Sequence, residues 1–336
     1  MESFSHNYTL NNQNNRLFPG VIYNWALFER DVRRDVRNCV LFLAFFFVVN
    51  ITVAAILHAA YVLAEASDFN DPEALNAMIS ESSGSSAGML SIVGIVCGSC
   101  VFFILRKRRF ITDLALPSAE LMTPKILIVL IIATQGIQCA SSIIATLVDT
   151  LLPRGLSIID SYGEVIDSLF TPLGLVYIVL VGPIFEELVF RGAMLGNLRR
   201  FGDNFAIIVS SLLFGFYHMT IMQIPFSFIV GLLLGYVTVR WSIRVAILLH
   251  IVTNGLSVLI SGLKSEILMG VCGLALIACL IATIAMAIHW RKPLKARIRA
   301  GAAYYPYTYI NGFSSIALWL FLVVTTVVGI VQVIDF

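Results

Sequence analysis

Three stretches of this 336-residue chain place ionisable or amide side chains inside otherwise apolar runs. They read Glu186-Glu187-Leu188-Val189-Phe190-Arg191, Phe214-Gly215-Phe216-Tyr217-His218 and His250-Ile251-Val252-Thr253-Asn254. An ionisable group at the middle of an apolar helix costs about 2.5–3.5 kcal/mol, so its default reading is functional. A carboxylate in a low-dielectric pocket makes a general base, and a neighbouring imidazole shares the work of activating water. A second imidazole and a carboxamide one turn apart can donate hydrogen bonds to a developing oxyanion. That set of groups suits hydrolysis of an amide bond.

Spacing decides which of these groups share a face. Glu187 and Arg191 are four residues apart and can pair, which neutralises two buried charges and leaves Glu186 free. Glu186 points about 100° away from Glu187 on an ideal helix. His250 and Asn254 share a face, as do Phe214 and His218. Depth follows from the turn at Phe201-Gly202-Asp203-Asn204, where Asp203 or Asn204 is expected to cap the following helix. Glu186 lies 14 residues before Arg200, and His218 lies 14 residues after Asn204. The two antiparallel positions therefore reach one level, roughly 20 Å from the turn. His250 lies only six residues past Arg244. Its level matches less well unless a helix tilts or the preceding turn sinks into the bundle.

The elements that carry these groups must be membrane helices. The chain is 59% hydrophobic and 12% charged, about half the charged fraction of an ordinary soluble domain. Its mean hydropathy is +0.90. The apolar segments are continuous and do not alternate, which excludes a barrel and predicts an all-α polytopic bundle. Nine spans are expected, at 39–64, 86–105, 125–148, 169–198, 205–221, 224–239, 245–262, 267–289 and 313–334, each near the roughly 20 residues that cross a bilayer core. With the N-terminus cytoplasmic, 20 of the 22 Lys and Arg fall on the cytoplasmic side, and only Arg154 and Lys264 lie outside. That bias sets the expected orientation.

The remaining features are expected to be structural. Residues 1–38 form a polar cytoplasmic tail with no cleavable leader, in which 21–38 has the pattern of an amphipathic surface helix (Trp25, Phe28, Val32, Val36) or of a solvated basic lead-in. Residues 39–334 form one membrane-embedded domain. The loop 65–85 is acidic. The six cysteines, including Cys97 and Cys100, sit in apolar runs and imply no disulfide framework. Gly231 and Gly235 form a GxxxG that allows close helix approach, and Gln135, Gln138 and Ser142 give the third span a polar stripe for a neighbouring helix.

In order and separation, Glu186-Glu187…Arg191, Phe214…His218 and His250…Asn254 resemble the EExxxR, FxxxH and HxxxN motifs of the CAAX prenyl protease and bacteriocin-processing membrane peptidases, the type II CAAX protease-like family. The resemblance covers a catalytic core of about 125–262. It implies that Glu186 and His218 activate water, that His250 and Asn254 stabilise the oxyanion, and that Arg191 supports the glutamates, with Glu187 and Phe214 in supporting places. Members have been described both as metalloproteases and as glutamate peptidases. A metal-independent mechanism with no required cofactor is favoured here, with zinc on Glu186, His218 and His250 as the alternative. The expected partners are a peptide or membrane-associated protein substrate and the lipid bilayer, with no nucleic acid. A bacterial inner membrane is the expected location. Two other readings stay open: a non-catalytic membrane scaffold or bacteriocin-immunity protein, and a proton-coupled transporter, though no internal repeat is visible.

Overall fold

The computed structural model describes residues 25–65, 87–100, 120–302 and 307–334. The polar stretch 1–20, the acidic loop and the basic run Arg106–Arg109 lie outside the described residues. Every regular element among the described residues is helical. In chain order these are α1 (Trp25–Glu65), α2 (Ala87–Cys100), α3 (Pro124–Asp149), α4 (Ile158–Asp167), α5 (Pro172–Phe201), α6 (Asp203–Tyr217), α7 (Gln223–Arg240), α8 (Ile243–Ser261), α9 (Glu266–His289), α10 (Arg291–Ala300), α11 (Thr308–Phe313) and α12 (Ile316–Ile334). Seven are long and apolar enough to cross a membrane: α1, α3, α5, α7, α8, α9 and α12. The second and fifth expected spans correspond to the shorter apolar helices α2 and α6. The chain is an integral membrane protein built as an all-α bundle.

Helix starts follow local chemistry. Thr123, Thr171, Ser157, Ser242 and Ser265 stand in extended backbone just before α3, α5, α4, α8 and α9, and each side-chain oxygen accepts from a backbone N–H three residues on. Each satisfies one orphan donor of its first turn. Pro124 and Pro172 follow their caps at the position where a missing N–H costs nothing. The cap expected at α6 differs. Gly202, with φ at 126°, occupies the cap position, and no side chain bonds the first turn. Asp203 instead accepts from Arg199 at 2.8 Å, and Asn204 donates to the carbonyl of Ile298. The turn is closed by glycine geometry because both polar side chains are used elsewhere.

The stretch expected to lie on the membrane surface is, from Trp25 onward, the first part of one continuous helix with the first span. Phe28, Val32 and Val36 are fully buried in the main core. Asp31 and Asp35 are buried as well. Asp35 pairs with Arg200 and accepts from Asn197 at 3.4 Å, which ties α1 to the end of α5. The main core packs this part of α1 against α5, α6 and α12 through Phe190, Met194, Phe205, Leu213, Phe214, Leu318 and Phe321. A second cluster joins α3, α7 and α8 through Leu130, Leu234, Trp241 and Leu249. On α3, Gln138 accepts from Ser257 at 2.9 Å and Thr134 from Thr253 at 3.1 Å, so part of the polar stripe bonds to α8. The six cysteines are free thiols.

The GxxxG of α7 serves a close approach to α6. A Cβ on Gly231 would meet Ser211 Cβ at 3.1 Å, Phe214 Cδ1 at 3.2 Å and Arg191 Nη2 at 3.3 Å, and one on Gly235 would meet Ile207 at 3.1 Å. In Gly231→Ala, helix propensity favours alanine by about 1 kcal/mol. Crowding three buried, immobile neighbours costs about 1–3 kcal/mol. The variant is expected to unfold at lower temperature in detergent than wild type.

Candidate active site

Glu186, Glu187 and Arg191 lie on α5, whose hydrogen bonding is not uniform. The segments Tyr177–Val181 and Leu188–Leu195 run in wide i→i+5 turns, and Gly182–Glu187 between them is α-helical. Such turns inside α-helices concentrate at functional sites. Pro183 contributes to the upstream one. The N–H of Gly182 bonds to the carbonyl of Tyr177 five residues back. The matching donor for Ile178 would be residue 183, and proline has none. Asn254 of α8 fills that place, its Nδ2 donating to the Ile178 carbonyl at 2.9 Å.

The two glutamates take different environments. The Glu187 side chain is fully buried, whereas that of Glu186 keeps 11% of its surface exposed. Glu187 Oε1 lies 3.0 Å from Arg191 Nη1 and 3.0 Å from His250 Nδ1. Arg191 also donates from Nη2 to the carbonyl of Gly231 at 3.2 Å, and a Cβ on that residue would stand 3.3 Å from the same nitrogen. The pairing expected from spacing is present. It leaves Glu186 without the arginine, and Glu186 Oε2 stands 3.8 Å from His250 Nε2.

Both imidazoles are oriented through Nδ1. An ionised Glu187 accepts from Nδ1–H of His250, which turns Nε2 toward Glu186. His218 terminates α6, and its Nδ1 is 2.9 Å from the carbonyl of Phe214. That carbonyl requires Nδ1 to be the donor, so Nε2 is the free acceptor of neutral His218. The chain turns away immediately after, because Met219 takes a left-handed backbone with φ at 55°. His218 lies within electrostatic reach of Glu186, His250 and Arg191.

The Phe214 ring is the common wall. It meets His218 edge to face at 4.9 Å and His250 at 5.8 Å between ring centres, and the guanidinium of Arg191 sits 4.2 Å over it. The shared face of Phe214 and His218 was expected; contact with groups from all three helices was not. Sequence reasoning also missed Tyr177 and Tyr217, both within the electrostatic field of Glu186. A narrow crevice beside Glu186 is lined by Tyr217, Phe185, Leu43 and Phe46 of α1, and Ile95 of α2.

The zinc alternative can be tested on the donors. Each imidazole has Nδ1 engaged and Nε2 open, an orientation that zinc-ligating histidines also take, while among the described residues no three His, Cys, Asp or Glu side chains stand close enough together to hold a metal ion.

The fold and site together define an integral membrane protein with a carboxylate–imidazole centre held between three adjacent helices. Residues 168–256 match the family model described as type II CAAX prenyl endopeptidase Rce1-like, so this segment is similar to the CAAX protease-like family whose motifs the sequence resembles. The matched segment begins just before α5 and ends two residues after Asn254. It is narrower than the core of about 125–262 expected from the motifs and leaves out α3. No curated protein and no solved structure matches the chain.

Proposed function

We propose that the chain is an intramembrane endopeptidase that cleaves a peptide bond in a membrane-associated protein or peptide, using water activated by Glu186 and His218. The observation that carries this reading is the approach of Glu186 Oε2 to His250 Nε2 at 3.8 Å beside a His218 whose Nδ1 is already committed to a backbone carbonyl. A carboxylate and an oriented imidazole on one side can hold a water and take its proton. The water oxygen attacks the scissile carbonyl carbon, and Glu186 receives the proton. The same proton goes to the leaving amine nitrogen when the C–N bond breaks. His250 stabilises the oxyanion from Nε2, the ring nitrogen that faces Glu186, while its Nδ1 stays on Glu187. Asn254 contributes the amide hydrogen that Ile178 does not use. No metal step is needed. The N-terminus faces the cytoplasm, as the distribution of basic residues supports.

The test is a peptide-library cleavage assay on purified protein, with and without a chelator. Wild type should cleave in both conditions, and His218→Ala should lose activity in both while remaining folded. Equal cleavage by His218→Ala would remove the assignment. A folded wild type that cleaves nothing yet binds its target would favour the scaffold or immunity reading.

Asn254→Ala separates two roles of one side chain. Loss of an oxyanion donor lowers kcat by about 100- to 1,000-fold with little change in KM. Loss of only the Ile178 bond would lower thermal stability and leave kcat nearly intact. The first result is expected.

A further inference from the structure

We infer that α10 is a docking surface for anionic phospholipid headgroups of the bilayer the chain spans. Helix α10 begins where α9 ends, with the chain bending at Trp290. Every residue of α10 is exposed. Trp290, Leu294 and Ile298 recur every four residues and form one apolar stripe, exposed by 45%, 43% and 55%. Arg291, Lys295 and Arg299 repeat the same spacing along its flank, and Lys292 and Arg297 add two more charges. No Asp or Glu occurs between Glu266 and Asp335, so no acidic group in the local sequence neutralises them.

The pattern identifies the occupant. A solvated basic helix has no reason to carry an exposed tryptophan, leucine and isoleucine in register. A helix made for a protein groove would carry an apolar face without needing a one-sign charge row beside it. An apolar stripe bordered by arginine and lysine suits the boundary between acyl chains and negatively charged headgroups, where long basic side chains reach outward from a buried stem. The apolar surface is continuous with the lipid-facing side of α9, where Ile281, Ile284 and Ile288 are all more than half exposed. Electrostatic attraction to anionic lipid then adds to apolar burial.

The helix is also held in place. Arg297 donates to the hydroxyl of Tyr236 on α7. At the far end, the backbone N–H of Asn204 donates to the Gly301 carbonyl at 2.9 Å, and the Asn204 side chain donates to the Ile298 carbonyl. Asn204 belongs to the turn that joins α5 to α6. The surface thus borders the connection between the helices carrying Glu186 and His218, although lipid docking does not depend on the peptidase reading.

The experiment is hydrogen exchange of backbone amides 291–300 in the full chain, placed in discs of phosphatidylcholine alone or of phosphatidylcholine mixed with phosphatidylglycerol. Exchange should slow severalfold in the anionic discs, and high salt should reverse the effect. Arg291→Gln/Lys295→Gln/Arg299→Gln, which spares the Arg297–Tyr236 bond, should remove the difference between discs while the exchange of α5 and α6 stays as in wild type. Leu294→Ser/Ile298→Ser should speed exchange in both. Equal exchange of the wild-type segment in the two kinds of disc would overturn the proposal. Protection that appears in no bilayer would also overturn it, leaving a protein partner as the occupant.

Discussion

Glu186→Gln is expected to abolish peptide cleavage while leaving the bundle folded. Removing a general base costs about 100- to 10,000-fold in rate. Glutamine keeps the size of the side chain, and Glu186 has no arginine to abandon, because Arg191 is committed to Glu187. Thermal unfolding in detergent should therefore stay close to that of wild type. Glu187→Gln tests the opposite assignment. Glutamine can still accept from His250 Nδ1, but Arg191 is left as a buried charge without its counter-ion. That variant should lose stability first and activity as a consequence. Cleavage rates and melting temperatures of the two variants, measured side by side, check the division of labour.

Arg191→Met should cost about 3–5 kcal/mol, the usual penalty for removing one partner of a buried ion pair. The loss should sit near the lower end, since His250 Nδ1 remains as a partner for Glu187. Replacing both members with apolar residues of similar volume is often neutral or stabilising. Arg191→Met/Glu187→Leu should therefore recover most of the melting temperature lost in the single variant. It should not recover cleavage, because His250 then has no acceptor for Nδ1 and its Nε2 is no longer aimed at Glu186. Recovery of stability without recovery of rate would identify Glu187 as the group that positions His250.

Much of this site was legible before the fold. The i,i+4 spacing of Glu187 and Arg191 named the ion pair and left Glu186 free. The matched distances of Glu186 and His218 from one turn set one expected depth for both, and in the fold His218 lies within electrostatic reach of Glu186. His250 was harder to place. Counting from Arg244 set it too shallow, because the count assumes that α8 begins at the bundle edge. Trp241 and Ile243, on either side of the α7–α8 turn, are buried, so α8 starts inside the bundle. The wide turns of α5 were not legible as such, yet Pro183 was a signal. A mid-helix proline orphans a carbonyl, and Asn254 is the polar group one turn from His250 that answers it. Phe214 is a different case. Any buried aromatic fits a core, and only three-dimensional packing shows its ring against His218, His250 and Arg191 at once. The surface reading of 21–38 failed in part because periodicity marks an apolar face without saying whether lipid or protein covers it. Asp31 and Asp35 beside that face were the clue, since Asp35 reaches the α5 end through Arg200 and Asn197.

The account rests on Glu186 and His218 acting on the same water. Steady-state cleavage by Glu186→Ala, by His218→Ala and by the double variant tests this most directly, because groups that act as a unit lose rate in a strongly non-additive way. The expected result is a double variant no slower than the worse of the two single ones. Losses that multiply, or a single variant that cleaves at the wild-type rate, would show that these side chains do not share one reaction step.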